Sequence, residues 1–140
     1  MTKLLIASLS NSGLEYLHRA QALGLEAHVL DCFEGHRGEL KSRYGKALIE
    51  TDARKTDVIR AVSSYQFDVA LIEEDSDFVR TALIAQSLRE ANIPLVIVLT
   101  ADANKIRLYR RSGAHRVIVA RDCSEAWTLC QRYFVANLPA

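Results

Sequence analysis

The sequence predicts an α/β protein: a three-layer, doubly wound, Rossmann-like parallel sheet of six strands in the order 3-2-1-4-5-6. Three observations predict it. Short apolar runs rich in β-branched residues alternate with longer stretches whose apolar residues recur every three or four positions, which is the βα pattern. Several of the short runs, "VALI" and "LVIVL" above all, are apolar without interruption, as strands are when helices cover both faces of a parallel sheet. There are six such runs, one βα unit more than a five-stranded sheet needs.

The strands are expected at 3–9, 27–30, 47–50, 68–73, 95–100 and 116–120, and the helices near 13–23, 39–44, 56–65, 77–91, 104–112 and 124–137. Gly24 and Gly113 stand where helix C-termini take a left-handed residue, and Pro94 opens a strand. Asp122 and Glu125 have capping-box spacing ahead of the last helix, with Asp in the place of Ser or Thr. The stripes Leu14/Leu17, Val58/Ile59/Val62/Tyr65, Phe78/Ala82/Ala85/Leu88, Ile106/Tyr109 and Trp127/Cys130/Phe134 are read as core-facing surfaces. "DCFEGHRGELKSRYG" carries three glycines and reads as a loop with one short helix.

A chain of 140 residues with 49% hydrophobic and 25% charged residues is expected to form one domain, spanning 1–140. Its 18 basic and 17 acidic residues create no global field for nucleic acid or an anionic membrane. The arginines around 107–121 lack the interleaved aromatics of a nucleic-acid patch. No apolar run approaches the roughly 20 residues of a membrane span, and the N-terminal apolar stretch is too short for a secretory signal, so a cytoplasmic protein without direct membrane insertion is expected. Cys32, Cys123 and Cys130 lack C-x-x-C spacing and read as free thiols. The four histidines show no metal spacing, so no metal site is expected. No acid, base and nucleophile support one another, and the chain is read as a non-enzyme.

In the chosen topology a ligand lies outside the carboxyl ends of strands one and four. The loop after strand one, Ser8-Leu9-Ser10-Asn11-Ser12-Gly13, stands in the register of the dinucleotide fingerprint G-x-G-x-x-G and keeps its third glycine. It remains a helix N-terminus with hydroxyl and amide side chains, suited to an anion or to simple helix capping. Asp31 closes strand two about 20 residues on, where an acid holds the ribose hydroxyls. Cys32, next to it, is counted with the candidate contacts. Glu73, Glu74, Asp75 and Asp77 follow strand four on the crevice side; Glu73 and Asp75 are candidates to hold a ribose or a nucleotide-bound Mg²⁺, and such a run also serves as a solvated turn favouring the next helix.

The loop ending in Gly13, "AHVLD" ending in Asp31, "YGKALIETDA", "FDVALIEEDSD", "IAQSLREANIPLVIV" and "RLYRRSGAHRVIV" together resemble the RCK or TrkA-N domain, the nucleotide-binding regulatory domain of potassium-transport systems. The resemblance covers nearly the whole chain. It implies a six-stranded Rossmann variant that senses NAD(H) or an adenine nucleotide, pairs as a homodimer, and acts on a transporter or channel without catalysing a reaction. It also implies that Asp52 and Ala53 lie against the adenine, with Thr51 where the family usually has glycine. The segment 93–120 is similar to the second half of a response-regulator receiver, with Thr100 at the switch position. Ser8, Ser10 and Asn11 replace that family's acidic pair, so this second likeness implies a non-catalytic docking or dimerisation module without nucleotide.

Overall fold

The computed structural model describes residues 2–8, 12–31, 44–52 and 54–135. Six parallel strands, β1 (Lys3–Ala7), β2 (Glu26–Asp31), β3 (Leu48–Glu50), β4 (Val69–Glu73), β5 (Leu95–Thr100) and β6 (Arg116–Val119), form one sheet in the order β3-β2-β1-β4-β5-β6. Among the described residues there are five α-helices: α1 (Ser12–Ala22), α2 (Lys55–Ser63), α3 (Phe78–Glu90), α4 (Ile106–Arg111) and α5 (Cys123–Val135). This is the predicted doubly wound fold. The helix expected over 39–44 lies outside the described residues except for Tyr44, and the one expected over 104–112 divides into a 3₁₀ turn, Ala103–Lys105, and α4.

Strand alternation divides the core into two layers. Leu4, Ile6, Val29, Leu71, Ile97 and Leu99 point to one face and pack with Tyr16, Leu17 and Ala20 of α1 and Trp127, Cys130 and Phe134 of α5. Leu5, Ala7, Leu30, Ala70, Ile72, Val96 and Val98 point to the other and pack with Val58 and Val62 of α2, Ile84, Ala85 and Leu88 of α3 and Tyr109 of α4. The central strands are buried on both sides, which is why their sequence shows no polar alternation.

The chain punctuation matches its chemistry. Gly24 and Gly113 have φ of +79° and +121°, and a Cβ at Gly113 would also sit 3.0 Å from the Cβ of Arg89. Asp122 Oδ1 accepts the Glu125 N–H at 2.8 Å, and Glu125 reaches back to the Arg121 N–H at 3.3 Å, one residue earlier than in the usual reciprocal box. One apolar stripe needs correction. Phe78, expected in the core, is 44% exposed, with the Lys105 ammonium 5.7 Å from its ring centre. Asp77 caps α3 through the Val79 and Arg80 N–H groups, so Phe78 occupies the first helical position, and the buried stripe begins at Thr81.

Candidate functional site

The topology switches direction at β1, whose neighbours are β2 and β4, and opens a crevice beyond the carboxyl ends of these strands. The register pairs Ala7 with Ile72, so the next residues, Ser8 and Glu73, stand side by side at the mouth. Ser8 is buried and its Oγ donates to Glu73 Oε1 at 3.1 Å; the Tyr16 hydroxyl, from the first turns of α1, donates to Glu73 Oε2 at 3.1 Å. Burial, and then the Glu73 charge, push the Tyr16 phenol above its ordinary range, which keeps it a donor.

Glu74 turns to the opposite face. Its Oε1 accepts from Thr100 Oγ1 at 2.9 Å, and its Oε2 accepts from the Tyr109 hydroxyl and lies 3.2 Å from Lys105 Nζ. Thr100 in turn accepts the Asp102 N–H at 3.1 Å, so one carboxylate ties the end of β4 to the β5–α4 connection.

Above these groups is a cavity of about 250 Å³ whose wall includes Ser12, Tyr16, Glu73, Thr100, Arg121 and Cys123. It is bounded by the N-terminal ends of α1 and α5. Deeper along that face Trp127 lies between Tyr16 and Phe134, with ring centres 6.2 and 5.3 Å away. The Cys123 thiol on the cavity wall is pushed up to about 11 by burial, and Cys130 to about 12 for the same reason, so neither is a thiolate at neutral pH.

The other sequence-predicted residues fall as follows. Gly13 is buried in the first turn of α1, where an added Cβ would meet the Tyr44 hydroxyl at 2.7 Å and the Ser8 Cβ at 3.3 Å; its lack of a side chain lets the tyrosine close over the helix start. Asp31 ends β2 with 2% of its surface exposed, and its carbonyl accepts the Thr51 N–H at 2.9 Å. Asp52 is exposed and borders a second, more open pocket of about 310 Å³ with Glu50, Thr51, Asp57 and Arg60. Asp75 is engaged in the turn before α3: it lies 3.2 Å from Arg80 and accepts the Ser76 N–H at 2.6 Å, while its own N–H donates to Thr81 Oγ1 at 3.1 Å. Ser10, Asn11, Cys32 and Ala53 lie outside the described residues.

Ser8, Ser12 and Glu73 therefore come together at one mouth, and Asp52 borders a different depression. The sequence reading missed Tyr16, Tyr44, Tyr109 and Arg121. A hydroxyl-bearing ring placed four residues past Ser12 on the buried face of α1 was the available signal for Tyr16.

No protein-family model and no curated protein matches the sequence. Solved structures do match in shape. The NAD(P)-binding domain of an exopolyphosphatase-related protein from Archaeoglobus fulgidus superposes with a TM-score of 0.63 at 17% identity, covering 99% of this chain and 100% of that one. The TrkA-N domain of the inner membrane protein ybaL from Escherichia coli superposes at 0.62, with 10% identity and 98% and 97% of the two chains covered. This chain shares the Rossmann-like fold of these domains. The C-terminal domain of Kef from Shewanella denitrificans, in its AMP-bound form, also superposes at 0.62, with 15% identity over 98% of this chain and 83% of that one. Among the described residues no helix is long and apolar enough to cross a membrane, and no three His, Cys, Asp or Glu side chains gather as metal ligands.

Proposed function

We propose that this chain is a regulatory domain that binds an adenine nucleotide, NAD(H) or a mononucleotide, at the carboxyl ends of β1, β2 and β4, and passes its occupancy to a membrane transporter or channel of the potassium-transport type. The observation that carries this reading is the crevice at the switch point, with the start of α1 on one side and the buried Asp31 carboxylate closing the neighbouring strand. Phosphate meets Ser8, Ser12 and Gly13, with Ser10 and Asn11 from the same loop. The ribose hydroxyls meet Asp31 beside Cys32, and the adenine lies against Asp52 and Ala53. Glu73 borders the ligand from the end of β4, and Asp75 from the turn that follows it. The AMP-bound and NAD(P)-binding domains of the same fold support an adenine nucleotide as the ligand.

The proposed role is binding without catalysis. Ligand favours one arrangement of the crevice loops and the partner reads that arrangement, a population shift that needs no bond chemistry. A homodimer in the cytoplasm is the proposed working form. Titration with NAD⁺, NADH, ATP, ADP and AMP tests the reading: a ligand at 100 times its Kd stabilises the fold by about 2.7 kcal/mol, visible as a thermal shift. Asp31→Ala is expected to remove the shift, and a shift that survives it unchanged places the ligand elsewhere.

One feature favours a second reading. Phe78, Val79 and Leu83 on the outer face of α3 are 44%, 61% and 38% exposed, an apolar surface that suits a docking or dimerisation module working without nucleotide. Silence with every nucleotide, together with self-association that Val79→Lys abolishes, selects it.

A further inference from the structure

We propose that Glu73 is a built-in counter-ligand: its carboxylate occupies the phosphate end of the crevice, and an incoming nucleotide must take Ser8 and Tyr16 away from it. This rests on the nucleotide-binding reading and specifies which part of the nucleotide decides affinity.

Three features at this one point carry the inference. The parallel register fixes Glu73 beside Ser8, the residue in the first fingerprint position, so the contact follows from backbone pairing and not from a chance rotamer. Each Glu73 oxygen is held by a hydroxyl, Ser8 Oγ on one and Tyr16 on the other, both at 3.1 Å, and both hydroxyls belong to buried residues. Hydroxyl donors of this kind serve a phosphate oxygen as readily as a carboxylate oxygen. The position is also one that attracts an anion. Ser12 opens α1, whose first N–H groups lack partners within the helix, and Ser12, Tyr16 and Glu73 share the wall of the same cavity. Glu73 thus satisfies with a tethered negative charge the two hydroxyls that a free phosphate would otherwise engage.

The consequence is a division within the ligand. The nucleoside meets no such competitor, because Asp31 ends β2, Asp52 follows β3, and neither borders this cavity. Phosphate must displace a carboxylate and remain near its charge. Affinity therefore rises little, or falls, on going from adenosine to AMP to ADP, the reverse of a glycine-rich phosphate loop.

Isothermal titration of the full chain with adenosine, AMP, ADP and NAD⁺, in the wild type and in Glu73→Gln, tests this. Glu73→Gln keeps the size and one acceptor while removing the charge. It is expected to tighten AMP, ADP and NAD⁺ by about tenfold, equivalent to ~1.4 kcal/mol, and to leave adenosine within roughly twofold, a change under ~0.5 kcal/mol. Glu73→Ala, which frees both hydroxyls outright, gives the same ranking if the glutamine recloses the gap. Equal changes for adenosine and AMP, or weaker AMP binding in both variants, overturn the counter-ligand while wild-type nucleotide binding keeps the proposed function. Binding of AMP by the variants but not by the wild type upholds the counter-ligand and removes the sensor role. No binding by any of the three proteins overturns both.

Discussion

Glu73 and Glu74 are consecutive residues with the same side chain, and the alternation of β4 sends them into different chemistry. Glu74 faces the α3–α4 layer, where an ammonium, a phenol and a threonine hydroxyl hold it. Glu73 faces the α1–α5 layer at the crevice mouth, where Ser8 and Tyr16 hydroxyls hold it, and both glutamates border the same cavity. A carboxylate beside a cation with three donors is part of the frame. A carboxylate whose hydroxyl partners would serve another anion equally well is exchangeable. The partners that each face of the strand supplies, not residue type, separate the two.

The largest expected effect tests the structural half of this contrast. Glu74→Ala leaves the Tyr109 hydroxyl and the Thr100 hydroxyl without their acceptor and should cost about 2–3 kcal/mol, since hydrogen bonds to charged groups contribute roughly 1.5–3 kcal/mol. Glu73→Ala leaves the Tyr16 hydroxyl on the cavity wall, where it regains water, whereas Glu74→Ala strands the Tyr109 hydroxyl, which does not border the cavity; Glu73→Ala should cost about 1 kcal/mol or less. Urea denaturation of both variants makes the comparison, and equal losses would break it.

A smaller effect sharpens the crevice side. Gly13→Ala drives a Cβ into the hydroxyl of the buried Tyr44, so the ring or the helix start must shift. The loss should be about 1–3 kcal/mol, the usual cost of overpacking. In a Tyr44→Phe background the closest contact is gone, and the added cost of Gly13→Ala should fall below about 1 kcal/mol, leaving the Ser8 approach as the residue of the strain. An undiminished cost in the double mutant would show that Ser8, not Tyr44, requires the glycine.

The smallest effect lies away from the crevice and tells the frame's pH sensitivity apart from that of the site. His115 Nδ1 accepts the Val96 N–H at 2.9 Å, and burial, with Arg89 and Arg116 nearby, holds the imidazole below its ordinary range. The unfolded chain therefore takes up its proton first, and stability is retained above about pH 6.5 and lost as pH falls below it. His115→Asn keeps an acceptor but does not titrate, so its stability difference between pH 7.5 and 5.5 should be smaller than that of the wild type in parallel urea melts.

The order of the sheet was legible in the sequence because six apolar runs separated by helical periods leave few topologies, and a buried parallel strand advertises itself by lacking polar alternation. The ends were less legible: β1 stops at Ala7 and not at residue 9, because Ser8 already turns its hydroxyl to Glu73. The candidate site was legible only where it follows local rules. Ser8, Ser12, Gly13, Asp31 and Glu73 could be placed at strand ends and a helix start. The partnership of Tyr16 with Glu73, 57 positions apart, and the seating of Tyr44 against Gly13 depend on how helices settle on the sheet, which local spacing does not encode. Phe78 misleads for a related reason, since helical periodicity marks a stripe but not the turn at which the helix first covers the sheet.

Trp127 is the single tryptophan of the chain. It packs against the same Tyr16 ring whose hydroxyl holds Glu73. Whatever disturbs that carboxylate is thereby one aromatic contact from the only indole, so the emission intensity and wavelength of the unlabelled protein report directly on events at the mouth, with no dye, tag or isotope required.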